Sequence, residues 1–421
     1  MANTDPVEWV LYDTDLITKL AILPAAQGHL YLEFQEPGSG EIRIPLDSAI
    51  ASSVSNGQFV VCNYRGSARS GFFIDNLKKT EADQGETAGR WLSISGRGPL
   101  AILDDAITWD DGSGASVRAF TGKTKAYILK TLIDEAVARG ALTRLTYDFT
   151  ASVDSSSVSW TDSEDYDINV GQSLLDIFRM FAATGDMEFA ITLQGGSQPI
   201  LLSAYKNGTG TDQSSTIYMR IGSNCEEVST DERGDEIKNV TLVKYKDGYA
   251  KVSDATSIST RRRRENFLSL EQAQSSSSAV TFATAQLTDT KDPKTSISVR
   301  IYDGVTPYLF VNYGMGDTVT VDKFGTQTSK RVLGIQADFD GDNFSHVVLE
   351  LNSIFYDNEL RVKNKLDWLL NQWNTAKDDN QAEVKQWLSF GQPNGTIYAL
   401  HYYNGYLYMR VHFNNHTEGV G

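Results

Sequence analysis

Hydrophobic and polar positions alternate along most of the first hundred residues. Leu30, Leu32 and Phe34 are interleaved with Tyr31 and Glu33, the period-two signature of a half-buried strand. Val7 to Tyr12, Phe59 to Tyr64, Gly71 to Leu77 and Trp91 to Ser95 read as further strands, with a turn at Arg65-Gly66-Ser67. Gly96-Arg97-Gly98-Pro99 breaks the last of them before a final strand over Leu100 to Ile107. Short strands at such regular spacing predict a barrel or sandwich.

The period changes after Asp110 to Gly114. In Thr124 to Arg139, Ile128, Leu129, Leu132, Ile133, Ala136 and Val137 form one helical stripe, and Gly140 stands where a C′ residue belongs. Leu174, Ile177, Phe178 and Phe181 do the same in Val170 to Thr184, with Gly185 closing. Strands resume over Met187 to Leu193 and Ile200 to Tyr205, so 113–225 reads as an α+β insertion. From Glu226 the chain is β-rich again: Asn239 to Tyr245, Thr295 to Tyr302, Tyr308 to Val311, Asp317 to Val321, Arg331 to Ala337 and Ser345 to Leu351. Within this stretch Ser253 to Ser278 contains a helix start, and the Ser275–Ser278 run marks a loop.

Two features near the end point to assembly. Asn358 to Phe390 reads as a long, polar helix. A three-four spacing through Leu366, Leu369, Trp373, Ala376, Asn380, Glu383 and Trp387 lays a coiled-coil seam along it, broken at Glu383, where Val384 can take over. The alternative is a helix packed on its own domain; either way so few apolar residues need a partner in water. The tail Thr396 to Phe413 is a hairpin signal, with Asn404-Gly405 between alternating runs. Pairing Tyr403 with Tyr406 puts Tyr398, Leu400, Tyr402, Leu407, Met409, Val411 and Phe413 on one face. The other takes Ala399, His401, Tyr403, Tyr406, Tyr408, Arg410 and His412. A lone hairpin is marginal, so sister subunits, another protein or further sequence must cover the apolar face.

Composition narrows the function. At 421 residues the chain has room for roughly two to four domains. Asp plus Glu outnumber Lys plus Arg by 54 to 38, a net charge of −16. Such a balance argues against specific nucleic-acid binding and against docking on anionic membranes. No apolar run is long enough to span a bilayer, and Met1 to Pro6 has neither a basic region nor an apolar core, so no signal peptide is expected. Cys62 and Cys225 are read as buried thiols rather than as a bridge.

The residue patterns that chemistry would need are incomplete in this chain. Gly122-Lys123-Thr124 ends like a P-loop, but Val117 stands where its first glycine belongs, and a loop with Thr124 as N-cap is the better reading. Asp338, Asp340 and Asp342 are spaced like a calcium loop, but Asn343 and Leu349 replace the required Gly and Glu; Asp340 to Asn343 reads as a hairpin turn. Arg261 to Arg264 reads as a solvated or intersubunit face. The five histidines show no zinc spacing, and no GxSxG elbow occurs. Acidic pairs such as Asp104-Asp105 and Asp162/Glu164/Asp165 could serve a glycosidase, but spacing alone does not supply the geometry, and solvated faces are the default. No catalytic residue, metal site or cofactor is assigned.

The order of these segments resembles the baseplate or tail-tip hub proteins of long-tailed bacteriophages, whose fold is shared with contractile-tail hubs and type VI secretion spikes. The resemblance rests on Val7 to Asp15, on Gly71-Phe72-Phe73-Ile74-Asp75, and on the Ile94 to Leu103 run. It continues through Ser296 to Gly304, Gly314 to Thr320, Arg331 to Ile335 and His346 to Leu351. It spans about 5–355 and departs at Asp104-Asp105, where the family has an arginine.

It implies a mainly β chain with five parts: a tube-like β-barrel (1–112), the α+β insertion (113–225), a second tube-like β-barrel (226–355), the long helix (356–390) and the aromatic hairpin tail (391–421). It further implies a homotrimer forming a pseudo-hexameric ring at the distal end of the virion tail. That ring would join the six-fold tube to three-fold tip parts and let DNA pass without specific binding. Expected partners are a distal tail ring protein, the tape measure protein and tail fibre or receptor-binding proteins, with no stable membrane insertion. Leu366, Leu369, Trp373, Ala376, Asn380 and Trp387 would then meet at the trimer axis. His401, Tyr403, Tyr406, Tyr408 and Arg410 form a candidate ligand or partner face. The rival functions are host-surface glycan or receptor binding by that face, and cell-wall hydrolysis by acids of 113–225.

Overall fold

Strands dominate because their apolar residues can be buried on either one face or both. Phe59–Tyr64 shows both cases. Val60, Cys62 and Tyr64 enter one hydrophobic core, while Phe59 and Val61 enter a second core on the other side. A strand buried on both faces reads as a continuous apolar run, as this one does.

The computed structural model describes residues 7–82, 89–161, 163–183, 187–194, 197, 199–270, 275–302, 305–340, 343–352, 395–403 and 406–413. The chain divides into two units, Met1–Ile354 and Phe355–Gly421. In the first, a short sheet of four strands has the order Lys19–Leu23, Glu8–Tyr12, Phe59–Tyr64, Ser67–Phe73. A long sheet of ten strands lies against it. Its main path runs Cys225–Arg233, Lys294–Ile301, Asn343–Leu351, Thr326–Asp340, Gln27–Glu33, Ser39–Pro45, Gly89–Arg97, Asn76–Ala82. The first and second β-rich segments therefore share one continuous sheet and one core. They are joined where Gln27–Glu33 pairs antiparallel with Thr326–Asp340. Among the described residues the pairing leaves this sheet open at both ends, so no closed barrel is seen.

Glycine sets how closely the sheets approach. A Cβ on Gly40 would lie 2.1 Å from Phe72 Cδ1, and one on Gly96 would lie 1.8 Å from the Phe73 carbonyl oxygen. Only a bare Cα lets Phe72 and Phe73 cross the long sheet here.

The insertion is α+β, as expected. Val117–Thr124 pairs with Ser163–Asn169, and Leu145–Tyr147, Ile200–Tyr205 and Glu188–Leu193 form a second sheet. The helix Lys125–Ala138 starts at Thr124, whose side chain accepts the Tyr127 amide at 3.1 Å. It ends at Gly140, with φ +85. The Gly140 amide donates to Val137 and the Ala141 amide to Ala136, a Schellman ending. The helix Leu174–Ala182 buries Leu174, Ile177, Phe178 and Phe181; Gly185 lies outside the described residues. Both helices pack beside Phe59 and Val61 of the short sheet.

Three readings are corrected. Leu100 to Ile107 is not a strand but a single helical turn, Ala101–Asp104, because Pro99 and Leu100 already turn the chain. Ser275–Ser278 is not a loop: Ser275 caps the helix Ser276–Thr290 by accepting the Ser278 amide at 3.2 Å. That helix covers a three-stranded sheet, Gly248–Ser253, Val240–Tyr245 and Glu265–Ser269, with its own small core. Tyr308 to Val311 is a turn around Phe310 (φ 60) rather than a strand. The expected hairpin at Asp340 holds, with Asp340 paired to Asn343.

In the second unit, Gly395–Tyr403 pairs with Tyr406–Phe413 in the expected register from Tyr403↔Tyr406 to Ala399↔Arg410. There it slips: Ile397, not Tyr398, stands opposite Val411. A bulge of this kind adds one residue to a single strand and increases its twist.

Candidate assembly surface

Alternation that buries one face of the long sheet leaves the other ranging from exposed to half-buried, and the register arranges that face in rows. Asp338, His29, Glu41, Ser95 and Asn76 lie opposite one another on successive strands. Gln336, Tyr31, Ser39 and Arg97 form the next row. Ser298, Glu350, Gly334 and Glu33 form a third.

The first row borders a shallow groove of ≈ 490 Å³ lined by residues including His29, Glu41, Asp75, Ser95 and Arg97. His29 Nδ1 and Asp338 Oδ1 are 2.6 Å apart. A strand spacing of about 4.8 Å puts Ser95 roughly 10 Å from His29, with Glu41 between them, too far for a base to activate a nucleophile. Arg97 closes the groove, donating through Nε to Asp75 at 3.0 Å and through Nη1 to Asp105 at 3.1 Å. Asp104 is 3.5 Å from the same guanidinium. The Asp104-Asp105 pair thus serves an ion cluster built on Arg97.

The third row is a carboxylate cluster. Burial pushes the Glu33 carboxyl up to about 8, helped by Glu36 and Glu350 and opposed by Arg179. Burial also raises Glu350, against the opposing hydrogen bond from the Tyr31 hydroxyl. Arg179, on an insertion helix, pairs with Glu36 and with Asp176.

A second ion pair ties the insertion to the long sheet. Arg331 donates to both oxygens of Glu188, at 2.6 and 2.7 Å, and to the carbonyls of Gly316 and Thr209. Its guanidinium stacks 4.4 Å above the Phe34 ring. Burial alone would raise the Glu188 carboxyl; Arg331 and the Thr209 amide hold it below its ordinary value.

The other sequence candidates have structural partners. Glu164 accepts the Tyr166 hydroxyl at 2.6 Å, and Asp165 accepts the Gly122 amide at 2.6 Å; Asp162 lies outside the described residues. In the arginine run, Arg261 meets Asp292, Arg263 meets Glu265, and Arg264 donates to the Gly234 carbonyl. Cys62 and Cys225 are buried free thiols, and burial pushes Cys62 up to about 12. Among the described residues, no group of His, Cys, Asp and Glu could hold a metal ion, and no helix is long and apolar enough to cross a membrane.

Leu366, Leu369, Trp373, Ala376, Asn380 and Trp387 lie outside the described residues. The backbone of the hairpin places His401 opposite Tyr408, Tyr403 opposite Tyr406, and Arg410 opposite Ala399. Neither the rows of the long sheet nor the Arg331 tie was found from sequence. The alternation of Gly40, Ile42 and Ile44 against Glu41 and Arg43 was a usable signal for one missing strand.

No family model and no curated protein matches the sequence. Solved structures do. The 43 kDa tail protein of prophage MuSo2 from Shewanella oneidensis is similar at 13% identity and a TM-score of 0.58, over 82% of this chain and 98% of that one. The tail protein from Neisseria meningitidis MC58 gives 13% identity and 0.57, over 83% and 97%. Prophage tail protein gp18 from Listeria monocytogenes EGD-e gives 13% and 0.53, over 86% and 99%. At such identity the likeness is one of fold, and it bears out the tail-hub resemblance at that level. This chain has the fold of phage tail proteins.

Proposed function

We propose that the protein is a non-enzymatic structural hub at the distal end of a phage tail. Three copies form a pseudo-hexameric ring that joins the six-fold tube to three-fold tip components and surrounds the path of the DNA. Each copy contributes two tube-like barrel segments, 1–112 and 226–355. The insertion 113–225 lies on their flank, and 356–390 and 391–421 serve the three-fold tip. The neighbours of the ring are a distal tail ring protein, the tape measure protein and fibre or receptor-binding proteins.

The observation that carries this reading is the fold likeness, which runs through nearly the whole length of each matched tail protein. The continuous long sheet supports it, because it sets the two β-rich segments side by side as halves of one wall. The exposed rows supply what a conduit wall needs. Glu41 and Asp338 place carboxylates there, and retention of DNA requires cations instead. Electron microscopy of the purified full chain tests the reading. Three-fold rings with an open centre are expected, and single compact particles without a channel would contradict it.

A further inference from the structure

We propose that the outer face of the three-stranded sheet Gly248–Ser253, Val240–Tyr245, Glu265–Ser269 binds single-stranded nucleic acid without sequence preference. Bases stack on Tyr249 and Phe267, and phosphates meet the lysines and arginines around them. This binding does not depend on the ring proposed above: either can fail without the other.

Alternation divides this sheet into two faces. Val243, Ala250 and Leu268 turn inward to the small core covered by the helix Ser276–Thr290. The register sets out the other face in two rows, Lys251, Leu242 and Phe267, then Tyr249, Lys244 and Ser269. The two aromatic residues stand on the outer strands, 62% and 55% exposed, with ring centroids 6.5 Å apart. Lys251 is exposed beside them. An open sheet face that sets aromatic rings among cations is a stacking platform for a single strand, because every base has a flat face and every linkage a phosphate.

This part of the chain is also locally basic. Residues 238–269 hold eight Lys and Arg against three Asp and Glu, an excess of five positive charges in a chain whose net charge is −16. Salt screens each charge over about 8–10 Å, so the balance of the whole chain does not decide what this face attracts. Lys246 and Arg261 pair with Asp167 and Asp292, whereas Arg262 stands exposed just before the strand that carries Phe267. The local excess repels a second copy of the same face and attracts a polyanion. A glycan is the poorer match. Reading sugar hydroxyls takes free acceptors, and Glu265, the carboxylate on this face, accepts from Arg263 at 2.5 Å.

Fluorescence anisotropy of a labelled oligothymidine of about ten nucleotides, titrated with the full chain, tests this. Binding should fall with salt and be tighter than for a duplex of equal length, whose bases are paired away, or for polyphosphate, which has no rings. Tyr249→Ala and Phe267→Ala should each weaken binding roughly tenfold, and Tyr249→Phe should keep it. Lys251→Gln/Arg262→Gln should lower the slope of log affinity against log salt by roughly 1.4. All four variants change exposed side chains and should unfold like the wild type, which separates lost binding from lost folding. No binding at low salt, or equal binding of oligothymidine and polyphosphate, would overturn the proposal. Alanine variants that bind like the wild type would overturn it too. Hyaluronan bound more tightly than oligothymidine would overturn it in favour of an acidic glycan.

Discussion

Arg331 does more for this molecule than its place within the long strand Thr326–Asp340 suggests. Its bidentate pair with Glu188 joins residues of the long sheet and the insertion, and the planar guanidinium also stacks on Phe34. Arg331→Ala leaves a half-buried carboxylate without its cation. Thermal or chemical denaturation should then show a loss on the order of 2–4 kcal/mol, only partly recovered by Arg331→Lys. Glu33 gives the matching pH prediction. Its carboxyl is raised from 4.5 to about 8, so the folded chain holds a proton that the unfolded chain releases as pH rises through that window. Its contribution is present in full below about 4.5 and is lost as pH rises toward 8. Melting measured from pH 5 to 8 should fall less steeply for Glu33→Gln than for the wild type; equal slopes would refute the assignment.

At the scale of elements, legibility followed locality. Phe59–Tyr64 and the helix Lys125–Ala138 were readable because period, cap residue and terminal glycine all lie within a few neighbouring positions. Ser163–Asn169 was missed because its acids look solvated, and only Tyr166 and Ile168 are buried. The Ser275 cap was missed because serines suit loops and helix starts equally. Ser275→Ala should cost about 1 kcal/mol, read by denaturation. The crossing of the two sheets predicts a sharper contrast. Gly96→Ala forces a Cβ into the Phe73 carbonyl and should cost about 3 kcal/mol or more, or abolish soluble folded protein. Gly314→Ala meets nothing within 4 Å and should be close to neutral.

For the whole molecule, the strand types were legible but their arrangement was not. The rows of the exposed face depend on His29 meeting Asp338 and on Glu33 meeting Gly334, pairs about three hundred residues apart in sequence. No local pattern encodes such register; it is set when the two β-rich segments close one core around Leu30, Ile335 and Leu349. The shared sheet also recasts those segments: they are parts of one sheet that, among the described residues, is open at both ends. The central claim, proposed above, is that this sheet is one part of a three-copy ring. Native mass measurement of the purified full chain tests it most directly. A particle of three 46.5 kDa chains is predicted, and a single chain at every concentration and salt would contradict the account.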